Sequence, residues 1–374
     1  MDFEFSEEQE MLRTSVRAFL AAKAPISYVR ETHDGLRASY DGSDEVWTGL
    51  CDLGVLGLLV PERWGGAGMG MVDAAVVVEE LGRAVCPAPY VTTAIGAIPL
   101  LVDLGDARAL ASLMPDLLRG DRIGTVAIFE PERRYEWRRP SSTAVPNQDG
   151  TWRLDGTKTH VRDFQLDGSS GSGVVLATAS DPDGVLGVYV ADSAAGPEIE
   201  SVDITYHASR IDLGAASQRV GGDAADAIAR TLDRLGVAAV LDSVGAAQRA
   251  LELSVEYAKE RVQFDKPIGS FQAVQHLCAD MLRTVELGRA AAYYACWAID
   301  EASAEEAHRA ATLARAFAAD AFPQLGGTAI QVFGGIGFTW EHDIHLYYKR
   351  LLTQSVALGT ANDYFDELAR LAID

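Results

Sequence analysis

Two short stretches carry residues suited to phosphate chemistry. Arg261, in "ERVQFDKPIG", brings a guanidinium, a rigid planar fork of donors that matches a pyrophosphate. Gly334, Gly335 and Gly337, in "QVFGGIGF", lack the Cβ that would hold a backbone away from a phosphate or an adenosine. Read singly, each also fits a plainer role, the arginine as a solvated charge at a helix end and the glycines as a helix stop. Other familiar chemistries find less support. The seven histidines show no HExxH spacing, and His342 and His345 lack an obvious third ligand, so no metal site is expected. Cys51, Cys86, Cys278 and Cys296 stand far apart in apolar helical contexts and read as buried free thiols. Redox chemistry in this chain therefore requires a cofactor.

The elements that must position these residues follow from length and periodicity. A chain of 374 residues with 48% hydrophobic side chains can fill a large core. A net charge of -22 argues against a phosphate-tracking nucleic-acid surface and reads as solubility. No apolar run approaches the ~18 residues that span a bilayer, and the acidic "MDFEFSEEQE" lacks a signal peptide's basic start. A cytoplasmic protein without a membrane partner is the expectation. The first third reads as helices: one capped by Ser6 and ended by Pro25, one stopping at Gly54, one over "MVDAAVVVEELGRAV" and one closed by Gly120. From about Arg122 the period becomes two. "IGTVAIFE", "STAVP", "TWRLDG", "GVVLATAS", "LGVYVAD" and "EIESVDI" predict a small antiparallel sheet. Long amphipathic helices follow, with a tail helix from about Asp363. The expected domains are 1–121 (helical), 122–225 (β) and 226–374 (helical bundle), an α+β chain.

Three motifs in this order resemble the acyl-CoA dehydrogenase family. "LGVLGLLVPERWGGAGMG" is similar to its PEExGG turn, "YAKERVQFDKPIGSFQAVQHLCADM" to its Arg-x-x-Phe and Phe-Gln segment, and "QVFGGIGFTWEHDIHLYYKR" to its Gln-x-x-Gly-Gly-x-Gly segment. The resemblance implies an N-terminal helical domain, a β middle domain and a C-terminal four-helix domain. It implies FAD as cofactor, an acyl-CoA thioester as substrate and, by analogy, electron-transfer flavoprotein as acceptor. It assigns Arg261, Gln331, Gly334 and Gly335 to the adenine half of a neighbouring subunit's FAD, and Phe264, Gln272 and Thr360 to further cofactor contacts.

The chain departs from the family where the chemistry happens. Alpha,beta-dehydrogenation needs a carboxylate to take the alpha proton. The resemblance puts that glutamate at one of two positions, which here hold Leu358, before Gly359 and Thr360, and Leu235. Asp233 lies about 200° round a helix from Leu235 and reads as a surface charge. Asp363 reads as a cap, and Asp242 is one further candidate base. The segments that serve the flavin ring differ as well. "IFEPERRYEW" keeps Glu130 and Pro131 but has Phe129 for a threonine and Arg133, Arg134 and Tyr135 for a small Gly-Ser turn. "KTHVRD" has His160 for a tryptophan and Arg162 for a threonine. The losses cluster at base and flavin ring, while the groups that reach a neighbour remain. No residue of the chain is assigned a catalytic role. The expected protein is the base-less subunit of a heteromeric, α2β2 acyl-CoA dehydrogenase of the sterol side-chain type. The alternatives are a homo-oligomeric dehydrogenase with an unusual Asp base, or a non-redox homologue that binds an acyl thioester or serves as structure.

Overall fold

A computed structural model describes residues 5–33, 44–131, 136–164 and 173–373. Arg133, Arg134 and Tyr135 of the altered turn lie outside the described residues. The observed order is helical, β, helical, as expected. Helices α1 (Glu7–Lys23), α2 (Ile26–His33), α3 (Glu45–Asp52) and α4 (Met71–Arg83) come first, followed by a π-helix (Val91–Ala97), α5 (Ile98–Leu104) and α6 (Ala107–Arg119). Strands β1 (Gly124–Ala127), β2 (Thr143–Pro146), β3 (Trp152–Arg162), β4 (Val174–Ser180), β5 (Leu186–Ala195) and β6 (Ala208–Val220) make the middle. Then come α7 (Ala225–Glu260), a hairpin of β7 (Val262–Gln263) and β8 (Lys266–Pro267), and α8 (Gln272–Glu301), α9 (Ala304–Phe333), α10 (Ile344–Val356) and α11 (Ala361–Ile373). Among the described residues no helix is long and apolar enough to cross a membrane.

Local chemistry explains most element ends. Ser6 and Gln9 form a reciprocal capping box on α1, and Asp44 and Asp106 accept backbone N–H donors at the starts of α3 and α6. Gly120 ends α6 at φ 73°, in the left-handed region. The PERWGG stretch folds into a tight turn in which a Cβ on Gly66 would meet the Val60 carbonyl at 2.1 Å.

The chain packs as two compact units, Met1–Leu36 with Ala75–Pro87 and Gly236–Asp374, and Arg37–Ala74 with Ala88–Leu235. In the second unit the strands run β1-β4-β2-β3-β6-β5, and β5 pairs back onto β4, so five strands close on themselves with β1 beside β4. Period two is plain in β4. Val174 and Leu176 face the helices α5 and α6, whereas Val175, Ala177 and Ala179 join Tyr189, Ile211 and Leu213 in the core of the sheet. Two expectations need correction. The sheet is mixed, because β1 and β2 both run parallel to β4. "EIESVDI" is not a strand: only Glu198 bridges, to Ser209, and Asp203 instead binds the N–H and hydroxyl of Thr205 in a turn. The sixth strand is β6, whose half-polar "ASRIDLGAASQRV" concealed it.

In the first unit α9 packs against α8, α10 and α11. Helix α4 approaches α7 at glycine contacts: a Cβ on Gly82 would sit 2.0 Å from the Asp242 carbonyl oxygen, and one on Gly245 would sit 1.9 Å from that of Glu79. Backbone cannot yield there as a flexible side chain can. Gly82→Ala and Gly245→Ala should each cost about 1–3 kcal/mol by overpacking, read as a lower thermal midpoint. An unchanged midpoint for both would contradict this packing.

Candidate functional site

The residues that the resemblance assigns to a neighbour's cofactor all lie in the first unit. Arg261 follows α7, and its backbone N–H donates to the Tyr257 carbonyl at 2.8 Å while its carbonyl accepts from Ile268 at 2.8 Å. Its side chain is exposed, and among the described residues no carboxylate pairs with it. Phe264 and Asp265 make the two-residue turn between β7 and β8, with φ of 54° and 62°. Positive φ at both central positions is normally left to Asn and Gly. Phe264 is 85% exposed, so the strained turn presents an aromatic ring to solvent. Gln272 opens α8 on the same exposed segment.

The glycine segment lies at the other end of the bundle's last long helix. Gln331 is exposed near the end of α9, and its carbonyl accepts the capping N–H of Gly334. Gly334 has φ 64° and ψ −141°, a conformation open to glycine, and Cβ atoms on Gly334 and Gly335 would meet nothing within 4 Å. Tyr257 of α7 stacks on Phe333 of α9 with ring centroids 4.4 Å apart, which ties the Arg261 hairpin to the glycine segment. Thr360 is elsewhere, at the α10–α11 junction. Its N–H and hydroxyl both donate to Asp363, at 2.7 and 2.6 Å.

The two positions where the resemblance puts the base hold leucine, and Asp242 and Asp363 are engaged elsewhere. Leu358 is half-buried, and its carbonyl accepts the Tyr364 hydroxyl at 2.8 Å. Leu235, in the second unit, packs over Gly96 of the π-helix, where a Cβ would lie 3.4 Å from Leu235 Cδ2. Asp242 is 4% exposed; one oxygen accepts from Arg350 Nη1 at 2.9 Å and the other from Gln354 Nε2 at 3.0 Å. A carboxylate so engaged is not free to take a proton, so Asp242 drops out as a base. Asp363 is the cap of α11, as its position suggested.

The segments that the resemblance aligns with the flavin ring, around Glu130 and His160, lie in the second unit. Glu130 accepts from the N–H groups of Ser141 and Ser142, the Ser142 hydroxyl and the buried Lys158 ammonium at 2.9 Å. Burial alone would raise the Glu130 carboxyl; the Ser142 hydrogen bond and the Lys158 charge overcome it and hold the group at about 2. Burial lowers Lys158 to about 8 against the opposing pull of Glu130. Sequence reading missed Lys158, one of several charges in "WRLDGTKTHVR" and not marked there as the buried one. His160 has φ 54°, and β-bulges interrupt the β3–β6 register on either side of Lys158. The Arg162 guanidinium lies 4.1 Å over the Tyr206 ring, with its Nε buried and unbonded. Asp163, at φ 50°, accepts from Thr92 of the π-helix at 2.8 Å. π-Helical turns of this kind concentrate at functional sites.

Comparison with known proteins decides the family. Residues 6–121 match the profile described as "Acyl-CoA dehydrogenase, N-terminal domain", and residues 225–371 match "Acyl-CoA dehydrogenase, C-terminal domain". The chain belongs to the acyl-CoA dehydrogenase family. It is therefore related to FAD-dependent oxidoreductases. "Acyl-CoA dehydrogenase IpdE2" of Mycolicibacterium smegmatis is 32% identical over 97% of this chain and 98% of its own length. The structure of a point variant of the Tcur3481-Tcur3483 steroid ACAD has a TM-score of 0.85 at 29% identity, covering 98% of both chains. The ChsE4-ChsE5 complex from Mycobacterium tuberculosis has a TM-score of 0.88 at 26% identity, covering 100% of this chain and 99% of the other.

Three outcomes follow for this chain of the acyl-CoA dehydrogenase family. Replacing Phe264–Asp265 by Asn-Gly should relieve the turn and raise the thermal midpoint, by about 1 kcal/mol of stability. An unchanged or lower midpoint would show that the turn is not strained. Lys158→Met leaves a buried carboxylate unpaired and should cost about 3–5 kcal/mol. Because the folded Glu130 carboxyl, at about 2, lies below the ordinary 4.5, its contribution is full above pH 4.5 and lost as pH falls from there toward 2. Urea unfolding of wild type and Glu130→Gln should therefore converge over that window, and a constant gap would contradict the assignment.

Proposed function

We propose that this chain is the base-less subunit of a heteromeric acyl-CoA dehydrogenase, arranged as α2β2 with a homologous partner that carries the catalytic glutamate. The carrying observation is a contrast within one structure. Arg261, Phe264, Gln272, Gln331 and Gly335 are exposed, the Arg261 guanidinium has no partner among the described residues and Gly334 and Gly335 face open space, while the positions expected for the base hold Leu358 and Leu235 and Asp242 is locked by Arg350. An unpaired guanidinium, on a hairpin tied to two open glycines through the Tyr257–Phe333 stack, suits a pyrophosphate and an adenosine, so FAD held mainly by the partner fits these residues. When bound, the flavin supplies a hydride acceptor for the substrate's beta carbon. This chain's part is to bind and orient the cofactor's adenine half, with no proton moved by its own residues. The heteromeric ChsE4-ChsE5 relative and the steroid ACAD support both the assembly and a steroid-type CoA ester as substrate. The division at 121/122 and 225/226 and an electron-transfer flavoprotein as acceptor belong to the same reading.

Co-expression tests it. The chain purified alone should show neither full flavin absorbance nor dehydrogenation of steroid-type CoA esters, and both should appear with a homologous chain bearing the glutamate. Arg261→Ala in that pair should lower flavin affinity about tenfold or more while the complex still assembles. Full flavin occupancy and turnover in the lone chain would overturn the proposal.

A further inference from the structure

Arg315 is a buried cation without a counter-ion. It sits in α9 with 2% of its surface exposed, and among the described residues no carboxylate pairs with it. Its Nη1 and Nη2 reach only the Gln354 carbonyl, at 3.3 and 3.4 Å, longer than usual for N–H···O bonds. Its Nε has no acceptor, and nearby Gln354 Oε1 is buried without a donor. The stem is fixed by Gly236, where a Cβ would lie 3.3 Å from Arg315 Cγ. The negative end of α10 offsets part of the charge, since Gln354 stands in that helix's last turn. The rest has no partner, and a lone buried charge is costly to keep.

Tyr364 links this cation to the vacated slot. Its ring centroid lies 5.0 Å from Arg315 Cζ, its hydroxyl donates to the Leu358 carbonyl at 2.8 Å, and a Cβ on Gly359 would touch its ring at 3.0 Å. The guanidinium is thus one aromatic ring away from the backbone of residue 358. We propose that Arg315 is a positioning residue for an anion at position 358: the fold retains the cation that would orient a carboxylate there, although leucine now fills the slot. A carboxyl at 358 that reaches this otherwise unpaired cation would be held ionised, because an opposite charge favours the ionised form against burial. The inference uses the proposed function only to identify 358 as the base slot; the charge coupling stands whether or not the chain works with a partner.

The test is a four-way comparison in the full chain: Leu358→Glu and Leu358→Gln, each with Arg315 intact and with Arg315→Met, unfolded in urea from pH 2 to pH 8, the gain with Arg315 intact lying below about pH 4.5 and any reversal in Arg315→Met above it. With Arg315 intact, the Glu variant should gain stability over the Gln variant as pH rises, by about tenfold in the unfolding constant for each pKa unit of depression. With Arg315→Met that gain should vanish or reverse; Arg315→Gln serves in its place if the Met chain does not fold. Equal slopes in both backgrounds would overturn the proposal. So would loss of stability with rising pH when Arg315 is present, or failure of the Glu variant to fold where the Gln variant does. If neither folds with Arg315 intact, the slot is purely steric and the proposal fails. Activity of the assembled enzyme is not the readout, so the outcome is separable from that of co-expression.

Discussion

Asp242, Arg350 and Gln354 form the buried junction on which the first unit depends. Asp242 on α7 binds Arg350 and Gln354 on α10 through its two oxygens, and Arg350 Nη2 reaches the carbonyls of Val85 and Cys86 just beyond α4. Val85 holds φ 48°, an outlier for a β-branched residue, and the Arg350 bond helps fix it. Arg350 and Asp242 are 3% and 4% exposed, so removing either partner would strand a buried charge. The glycine contacts at Gly82 and Gly245 bring α4 and α7 close enough for the junction to form.

That junction also limits the chemistry. A general base must give up its hydrogen bonds to accept a proton, and the buried carboxylates of this chain serve the fold instead. Asp242 joins helices, Glu130 joins strands through Lys158 and Ser142, Glu80 is held in a two-point pair by Arg17, and Asp203 closes a turn. The half-buried Asp363 caps α11. The exposed Arg261 differs from these, since no carboxylate pairs with its guanidinium among the described residues.

Much of this was legible in the sequence, for identifiable reasons. Helix starts were readable because Ser6 puts its cap chemistry at the boundary, and the helix stop at Gly54 and the αL cap at Gly120 mark ends by their positive φ. The β segment was legible in continuous apolar strands such as β4, buried on both faces, and not in β6, where polar residues broke the apolar pattern. The absence of a glutamate at 358 and 235 needed only residue types. What the sequence could not show was pairing at long range: Asp242 with Arg350 across 108 residues, Glu130 with Lys158 across 28, and the isolation of Arg315. Asp242 stayed a candidate base until its two partners were seen.

The account rests on one division of labour, with cofactor-facing groups in this chain and the base in a homologous one. Flavin stoichiometry of the active, purified assembly tests it most directly. The account predicts one FAD for every two chains, this one and its partner, and activity that disappears when the partner's glutamate is changed to glutamine. One FAD per chain, or turnover by an assembly of this chain alone, would contradict it.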